Sequence, residues 1–112
     1  MITKFEYHTG EIVITQGTFG DGFYILKSGA VDIIRNQQVI ATLINPGSIF
    51  GEIAFLLNDQ RTASVVARSP SEILRINGES LEDITAKHPT IVATLLVTLA
   101  KRLKEMTEKM PK

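Results

Sequence analysis

The segment from Phe50 to Val66 contains residue types that can bind a small anionic sugar. Gly51 lets the backbone approach a ligand closely, because glycine lacks a Cβ atom. Glu52 follows it, and Arg61 comes nine residues after Glu52, just before a β-branched segment. The planar arginine fork can donate two parallel hydrogen bonds to a phosphate. The order of these residues therefore predicts a site for a phosphorylated sugar.

The backbone around this glycine can supply further donors. Ser48 is a candidate cap for a short helix that begins near Phe50. The N–H groups that open a helical turn have no partner within it and lie at the positive end of its dipole. The amides of Ile53 and Ala54 would hold this position, and Glu52 beside them can accept a hydrogen bond from a sugar hydroxyl. We expect these groups to face the same ligand as the arginine.

Each of these features is also common where no ligand binds. A Gly-Glu pair in a β-rich protein is usually a turn, and a single arginine is usually a solvated surface charge. Their order, and their position between two apolar segments, make the combination more specific than its parts. Ala54 and Ala63 also leave room where a bulky side chain would block a ligand.

Composition favours a single globular domain, which we expect to span residues 1–112. The length suffices for one hydrophobic core, and 44% of the residues are hydrophobic. Twelve basic side chains balance twelve acidic ones, so no general attraction to nucleic acid or to an anionic membrane is expected. The longest nearly apolar stretch, Ile91–Ala100, is half as long as a membrane span requires, and the N-terminus lacks the profile of a secretory signal. We therefore expect a cytoplasmic domain.

The first two thirds of the chain have the pattern of an antiparallel β-sheet protein. Short segments rich in β-branched residues alternate with turns that contain glycine, proline or asparagine. This spacing predicts a mainly β fold, an antiparallel jelly-roll or β-roll over about residues 5–77. The expected strands lie at residues 11–15, 23–27, 31–35, 39–44, 62–67 and 72–76.

Two C-terminal helices are expected after the last strand. The first covers residues 79–87, and Asn77 or Gly78 can begin it. His88 and Pro89 interrupt the helical pattern, because the residue before a proline is disfavoured in the helical region whereas proline suits a first helical turn.

A longer helix from Thr90 to about Lys109 completes a tail over roughly residues 78–110. Its apolar side chains recur at alternating intervals of four and three residues, which is the period of a coiled-coil seam. We predict a homodimer through five residues of this stripe, namely Val92, Leu96, Leu99, Leu103 and Met106. The alternative is that the stripe packs on the β-roll of its own chain. The stripe consists of Val92, Leu96, Leu99, Leu103, Met106 and Met110, with Ile91 and Leu95 beside it.

Residues 50–65 resemble the phosphate-binding cassette of the cyclic-nucleotide-binding domain family. The similarity extends to residues 10–17, to residues 23–26 with Ser28 and Gly29, and to the two terminal helices, so it covers nearly the whole chain. The resemblance implies the β-roll fold of catabolite-activator and protein-kinase-A regulatory domains. It also implies that the ligand is a cyclic nucleotide, cAMP or cGMP.

The resemblance assigns a role to each residue of the cassette. Glu52 would hold the ribose 2′-hydroxyl, and Arg61 would hold the cyclic phosphate. Gly51, Ile53 and Ala54 would contribute backbone contacts.

Two threonines are candidates for contacting the base. Thr62 stands where relatives carry alanine, serine or threonine; a hydroxyl there can bind the amino group of a syn guanine, but relatives with threonine include cAMP responders. The tail helix resembles the dimerisation helix of catabolite-activator-type regulators at Pro89 and residues 100–103. Extended without gaps, this resemblance places Thr107 where those regulators contact adenine, although Glu108 replaces their next residue, a serine. The alternative for Thr107 is an exposed threonine near a frayed helix end.

Catalysis and metal binding are not expected. His8 and His88 are eighty residues apart, whereas a metal site in a β-roll needs a cluster of His and Glu side chains. There is no cysteine, and neither histidine stands near a nucleophile motif. The basic residues of the tail are expected to form its solvated face rather than a DNA-binding surface, so we expect no direct DNA binding. These residues are Lys101, Arg102, Lys104 and Lys109.

The sequence therefore predicts a regulatory domain that binds a cyclic nucleotide, with cAMP as the leading ligand and no cofactor. The C-terminal helix is expected to close over a pocket in the β-roll when the ligand binds. The alternative is a β-roll that binds no ligand and serves as a dimerisation or docking module.

Overall fold

A computed structural model of the chain describes residues 1–20 and 22–109. It divides into two compact units, of which the first comprises residues 1–79 and the second begins at Ser80. Met110, the last residue of the predicted tail and of its apolar stripe, lies outside the described residues.

The first unit is a β-roll with eight strands in the part of the chain that the structure describes. They are β1 (Ile2–Tyr7), β2 (Ile12–Ile14), β3 (Gly22–Ser28), β4 (Val31–Arg35), β5 (Gln38–Leu43), β6 (Ile49–Phe50), β7 (Ser64–Ala67) and β8 (Ser71–Asn77). The strands form two antiparallel sheets with the orders β1-β8-β3-β6 and β2-β7-β4-β5. The predicted mainly β fold is confirmed, and each of the six predicted strands overlaps an observed one.

The sequence pattern does not predict β1 or β6, and the roll was expected to begin only near residue 5. In β1 apolar and charged side chains are mixed, and the strand is specified by its pairing with β8, where Phe5 lies opposite Ile73. β6 has only two residues and pairs with β3. Two residues are too few to show a period, so β6 is recognisable only beside its partner strand.

The core of the roll lies between the two sheets. Each sheet turns alternate side chains inward, because successive side chains of a strand point to opposite faces. One sheet contributes Leu26, Phe50 and Ile73 to this buried cluster, and the other contributes Ile14, Val31 and Val65. Burying one such side chain fully contributes about 1.5–3 kcal/mol, so this cluster stabilises the roll that positions the site.

The short internal helix α1 extends over Glu52–Leu57, and Gly51 holds its N-cap position with a φ of 75°. The prediction that Ser48 caps this helix is wrong. Its hydroxyl donates to the carbonyl oxygen of Asn45 at 2.7 Å. The two residues that follow Ser48 form β6 along the edge of β3, so the helix begins only after Gly51 has turned the chain.

The second unit contains two helices, α2 (Leu81–Lys87) and α3 (Pro89–Glu108). The predicted interruption at His88 and Pro89 is confirmed: His88 has a non-helical φ of −137°, and Pro89 stands in the first turn of α3. None of the helices among the described residues is long and apolar enough to cross a membrane.

Helix α2 begins later than the sequence predicts. Ser80 caps it, because its Oγ accepts a hydrogen bond from the N–H of Asp83 at 3.1 Å. The prediction that Asn77 or Gly78 begins the helix is wrong. Asn77 ends β8, and its N–H donates to the carbonyl oxygen of Met1 at 3.0 Å. Pairing with β3, where Asn77 lies opposite Gly22, therefore extends β8 into the segment that was expected to start the helix.

The apolar residues of α3 differ in their burial. Val92 and Leu95 are buried, with 8% and 1% of their surface exposed. In contrast, Leu96, Leu103 and Met106 are 62–65% exposed within the chain. Leu96, Leu103 and Met106 of the predicted stripe therefore form an exposed apolar surface.

Candidate functional site

Arg61 is a buried cation in the first unit. Only 6% of its surface is exposed, and arginine is rarely buried so fully unless it is paired. Its backbone is held by the loop between β2 and β3. The N–H of Arg61 donates to the carbonyl oxygen of Thr18 at 2.7 Å, and its own carbonyl accepts from the N–H of Gly17 at 2.8 Å. These two bonds fix the point from which the arginine side chain enters the roll.

The guanidinium of Arg61 binds two backbone carbonyl groups. Nη1 donates to the oxygen of Gly51, and Nη2 donates to the oxygen of Gly22 at 2.8 Å. Cζ lies 6.0 Å from the centre of the Tyr24 ring, within the distance at which an aromatic face attracts a cation. The Tyr24 ring is stacked on Phe50, with centroids 5.4 Å apart. One cation thus joins the start of α1 to β3.

Two glycines make room for this guanidinium. A Cβ atom at Gly20 would collide with Nη2 of Arg61, and one at Gly51 would lie 3.0 Å from Nη1. The positive φ of Gly51 is also one that other residues rarely adopt. The sequence predicts that Gly51 permits close approach of a ligand; in this structure the group that approaches it closely is Arg61.

A cavity of about 580 Å³ opens beside Arg61 within the first unit. Its volume is in the range of sites for small molecules. The described part of its wall combines apolar side chains, two threonines and two arginines: Val13, Ile14, Thr15, Thr18, Phe19, Gly20, Tyr24, Arg61 and Arg75. Across residues 1–20 and 22–109, no three His, Asp or Glu side chains cluster as a metal site requires.

Among the predicted cassette residues, Arg61 lines this cavity, whereas Gly51, Glu52, Ile53 and Ala54 are not part of its wall. These four surround the start of α1, where Glu52 is 2% exposed, Ala54 is 4% exposed and Ile53 is 50% exposed. Arg61 connects the cavity wall to the start of α1. Its Nη1 donates to the carbonyl oxygen of Gly51, the residue that directly precedes this helix. The structure therefore brings the arginine to the cassette glycine, and the contacts of these residues to a ligand stay predictions.

The two threonines predicted to contact the base are both exposed. Thr62 follows Arg61 just before β7. Thr107 lies in the second unit, in the last turns of α3, and its hydroxyl donates to the carbonyl oxygen of Leu103 at 2.9 Å. Their contacts to a base stay predictions.

Sequence reasoning does not single out Phe19 or Arg75, which also line the cavity. Phe19 is 68% exposed, and nothing in its sequence neighbourhood marks it. Arg75 carries a signal, since it stands two residues after the buried Ile73 in β8 and therefore on the same face of the strand. A charged residue on the inward face of a predicted strand is unusual and can be found by counting the alternation.

The pKa of the Tyr7 phenol is affected by two residues of the cavity wall, Tyr24 and Arg75. Burial raises its pKa, Tyr24 and Glu11 raise it further, and the positive charge of Arg75 lowers it. Arg75 is therefore within electrostatic reach of the inner face of β1.

The β-roll fold described above is that of one family of proteins. A family model for the cyclic nucleotide-binding domain matches residues 4–88, which is more than half of the chain. The chain belongs to this family, and the resemblance on which the sequence prediction rests is confirmed.

Individual relatives are similar over much of the chain. The chain is 32% identical over 103 residues to the cyclic AMP receptor protein of Thermus thermophilus, across 88% of this chain and 48% of the relative. It is 50% identical over 62 residues to a cAMP-dependent protein kinase regulatory subunit of Yarrowia lipolytica, across 55% of this chain and 16% of the relative. The crystal structure of the Thermus thermophilus catabolite activator protein matches 96% of this chain with a TM-score of 0.81 and 29% identity, and 53% of that protein is covered. The chain thus spans about half or less of the length of these relatives.

Proposed function

We propose that this domain binds a 3′,5′-cyclic nucleotide, specifically cAMP, and that it regulates rather than catalyses. We further propose that it acts in the cytoplasm without binding DNA directly. The observation that supports ligand binding most directly is the buried guanidinium of Arg61 at the wall of a cavity of about 580 Å³. Relatives whose names refer to cAMP support the choice of adenine over guanine.

The phosphate is assigned to Arg61. Its Nη1 and Nη2 donate to the carbonyl oxygens of Gly51 and Gly22, which are neutral acceptors. A hydrogen bond to a charged oxygen is roughly twice as strong as one between neutral groups. A cyclic phosphate is therefore expected to take over at least one of these donors, and the planar fork suits two phosphate oxygens.

The sugar is assigned to Glu52. Its carboxylate can accept a hydrogen bond from the ribose 2′-hydroxyl, and it would repel a phosphate that it faced directly. Only 2% of Glu52 is exposed, so the ribose has to enter the roll to reach it. The backbone of Gly51, Ile53 and Ala54 at the start of α1 is proposed to complete the contacts around the sugar and the phosphate.

The response to the ligand is assigned to α3. We propose that this helix closes over the bound nucleotide and that Thr62 and Thr107 contact the base. The exposed apolar residues Leu96, Leu103 and Met106 favour a homodimer through the same helix. The ligand can shift the helix only if it binds one arrangement more tightly than the other. Closure and dimer geometry would then be coupled.

Titration calorimetry of cAMP and cGMP against the wild type and two Arg61 variants tests the phosphate assignment. Arg61→Ala should cost about 2–5 kcal/mol of binding free energy, because it leaves a desolvated charge on the ligand unpaired. Arg61→Lys should recover only part of this loss, since a point charge lacks the fork. Equal affinity of the wild type and Arg61→Ala for cAMP would contradict the assignment.

The second candidate is a roll that binds no ligand and serves as a dimerisation or docking module. The exposed apolar residues of α3 favour it as much as they favour a ligand-controlled dimer. Thermal melting with and without about 1 mM of each nucleotide separates the two, because a ligand that binds only the folded state raises the melting temperature. An unchanged melting temperature with both nucleotides would support the ligand-free module.

A further inference from the structure

We propose that Gln16 is a positioning residue, whose side chain fixes the place from which Arg61 reaches a cyclic nucleotide. This inference rests on the proposed function of the domain. Gln16 follows β2 and forms hydrogen bonds to β7 and to the turn between β4 and β5. It is not part of the described wall of the cavity, so its effect on binding passes through Arg61.

The carboxamide of Gln16 is bound to the turn between β4 and β5. Its Nε2 donates to Oδ1 of Asn36 at 2.9 Å, and its Oε1 accepts from the N–H of Asn36 at 3.0 Å. Asn36 has a φ of 51°, in the left-handed region that asparagine tolerates better than most residues. One side chain thus holds both the backbone and the side chain of the residue that opens this turn.

These hydrogen bonds join strands on the two sides of β7. The sheet has the order β2-β7-β4-β5, so the segment after β2 and the turn after β4 belong to the two neighbours of β7. The backbone N–H of Gln16 also donates to Oγ of Ser64, the first residue of β7, at 2.8 Å. Gln16 therefore joins three neighbouring strands at the end of the sheet where β7 begins.

Arg61 is held by the two residues that follow Gln16. The N–H of Gly17 donates to the carbonyl oxygen of Arg61 at 2.8 Å, and the carbonyl oxygen of Thr18 accepts from the N–H of Arg61 at 2.7 Å. Gly17 has a φ of 85°, and glycine has more conformational freedom than any other residue, so this segment needs an anchor to stay in place. The carboxamide of Gln16 provides an anchor directly before these two bonds.

The two ends of Arg61 are held by different parts of the roll. Its backbone is bound by the segment after Gln16, whereas its guanidinium donates to the carbonyl oxygens of Gly51 and Gly22. Loosening the backbone end leaves the positive charge in place but widens the range of directions that the fork can take. A bidentate contact to phosphate depends on that direction. Loss of the Gln16 carboxamide should therefore lower the affinity for a cyclic phosphate.

Titration calorimetry of cAMP against Gln16→Met and Gln16→Glu tests the inference. Gln16→Met keeps the length of the side chain but loses both hydrogen bonds to Asn36, so it should weaken binding by roughly five- to tenfold, which corresponds to one ordinary hydrogen bond. Gln16→Glu should recover most of the affinity. Its carboxylate can accept from the backbone N–H of Asn36 and, after the Asn36 carboxamide rotates, from the side-chain nitrogen. Gln38→Met is the matched control, because it makes the same replacement at an exposed position of the same hairpin, and it should leave the affinity unchanged.

A double-mutant cycle with Arg61→Lys separates a positioning role from a general loss of stability. A lysine lacks the fork, so it gains little from a fixed backbone. In the Arg61→Lys background, Gln16→Met should therefore weaken binding by less than about twofold, and the two losses should not add. A residue that only stabilises the roll would lower the melting temperature without this dependence on position 61.

A second pair of variants keeps the test valid if Gln16→Met does not fold. In Gln16→Glu combined with Asn36→Asp, two carboxylates face each other and the hydrogen bond between the side chains is lost. Gln16→Glu combined with Gln38→Glu adds the same two charges and keeps this bond. The first combination should bind cAMP at least roughly fivefold more weakly than the second. Equal affinities of the two combinations would overturn the role of Gln16.

The outcomes distinguish this inference from the proposed function. If the wild type binds neither nucleotide, the proposed function fails and the inference fails with it. If the wild type binds cAMP but Gln16→Met binds equally well, or Gln16→Glu is as weak as Gln16→Met, only the role of Gln16 is overturned. Equal losses from Gln16→Met with arginine and with lysine at position 61 would also overturn it, as would a loss in Gln38→Met as large as that in Gln16→Met.

Discussion

The core of the β-roll and the exposed stripe of α3 differ in the burial of their apolar side chains. In the roll, residues such as Leu26 and Ile73 have no exposed surface. In α3, Leu96, Leu103 and Met106 are exposed by more than 60%. A sheet that faces a second sheet satisfies its inward residues within the chain, whereas a helix with a seam at period 3.5 presents a face that fits another helix. The residues of the roll's central core are therefore buried within the chain, whereas α3 retains an exposed apolar surface.

The largest effect is expected from truncating the core of the roll. Leu26→Ala should lower the free energy of unfolding by about 2–5 kcal/mol, because a fully buried side chain leaves a cavity behind. Leu96→Ala is the control with the same chemistry at an exposed position in α3, and below the concentration at which any dimer forms it should cost under about 0.5 kcal/mol. Urea unfolding of both variants measures the contrast. If Leu26→Ala and Leu96→Ala lowered the free energy of unfolding by similar amounts, the contrast between the buried core of the roll and the exposed face of α3 would be refuted.

An intermediate effect is expected on self-association. Leu103→Glu places a carboxylate in the exposed stripe of α3, where a dimer would have to bury it without a partner. We expect the dissociation constant of the homodimer to rise at least tenfold, by sedimentation at several protein concentrations. Lys101→Glu changes a charge at an exposed position outside the stripe and should have little effect. A wild type that is monomeric at every concentration would refute the dimer, and an unchanged dimer in Leu103→Glu would refute this interface.

The smallest effect is expected from two serines that stand before helices: Ser48, the cap that the sequence predicts for α1, and Ser80, the cap that the structure shows for α2. Ser80→Ala removes the acceptor for the N–H of Asp83 at the start of α2 and should cost about 1 kcal/mol. Ser48→Ala removes a hydroxyl that donates to Asn45 and caps no helix, so it should cost less. Chemical unfolding followed by circular dichroism gives both values. The reverse order of stability losses would contradict the observed helix starts.

Much of the fold can be predicted from the sequence because its signals are local. The strands at 31–35 and 39–44 are visible from their β-branched residues and the polar turn between them, and the structure places them at Val31–Arg35 and Gln38–Leu43. The end of the first tail helix is visible from Pro89 for the same reason. β6 is not visible, because it depends on pairing with the distant strand β3. The true start of α2 has a local signal, since Ser80 caps the helix through Asp83, but the sequence prediction does not use it.

The candidate site also contains some residues that the sequence indicates and others that only the strand pairing brings to it. Gly51, Glu52 and Arg61 stand close together in the sequence, and their residue types indicate a phosphate and a sugar. Their resemblance to the cyclic-nucleotide-binding family adds the roles that spacing cannot supply. Arg75 carries no motif, and only the register of β8 against β3 brings it to the cavity beside Tyr24.

The sequence by itself determined the class of fold and the family, because hydrophobic alternation, turn residues and the cassette are properties of neighbouring residues. The tertiary structure alone decided which charged groups share a cavity and which apolar face stays exposed. The physical reason is that a side chain's environment is set by the strands paired with its own, and those strands are distant in the chain.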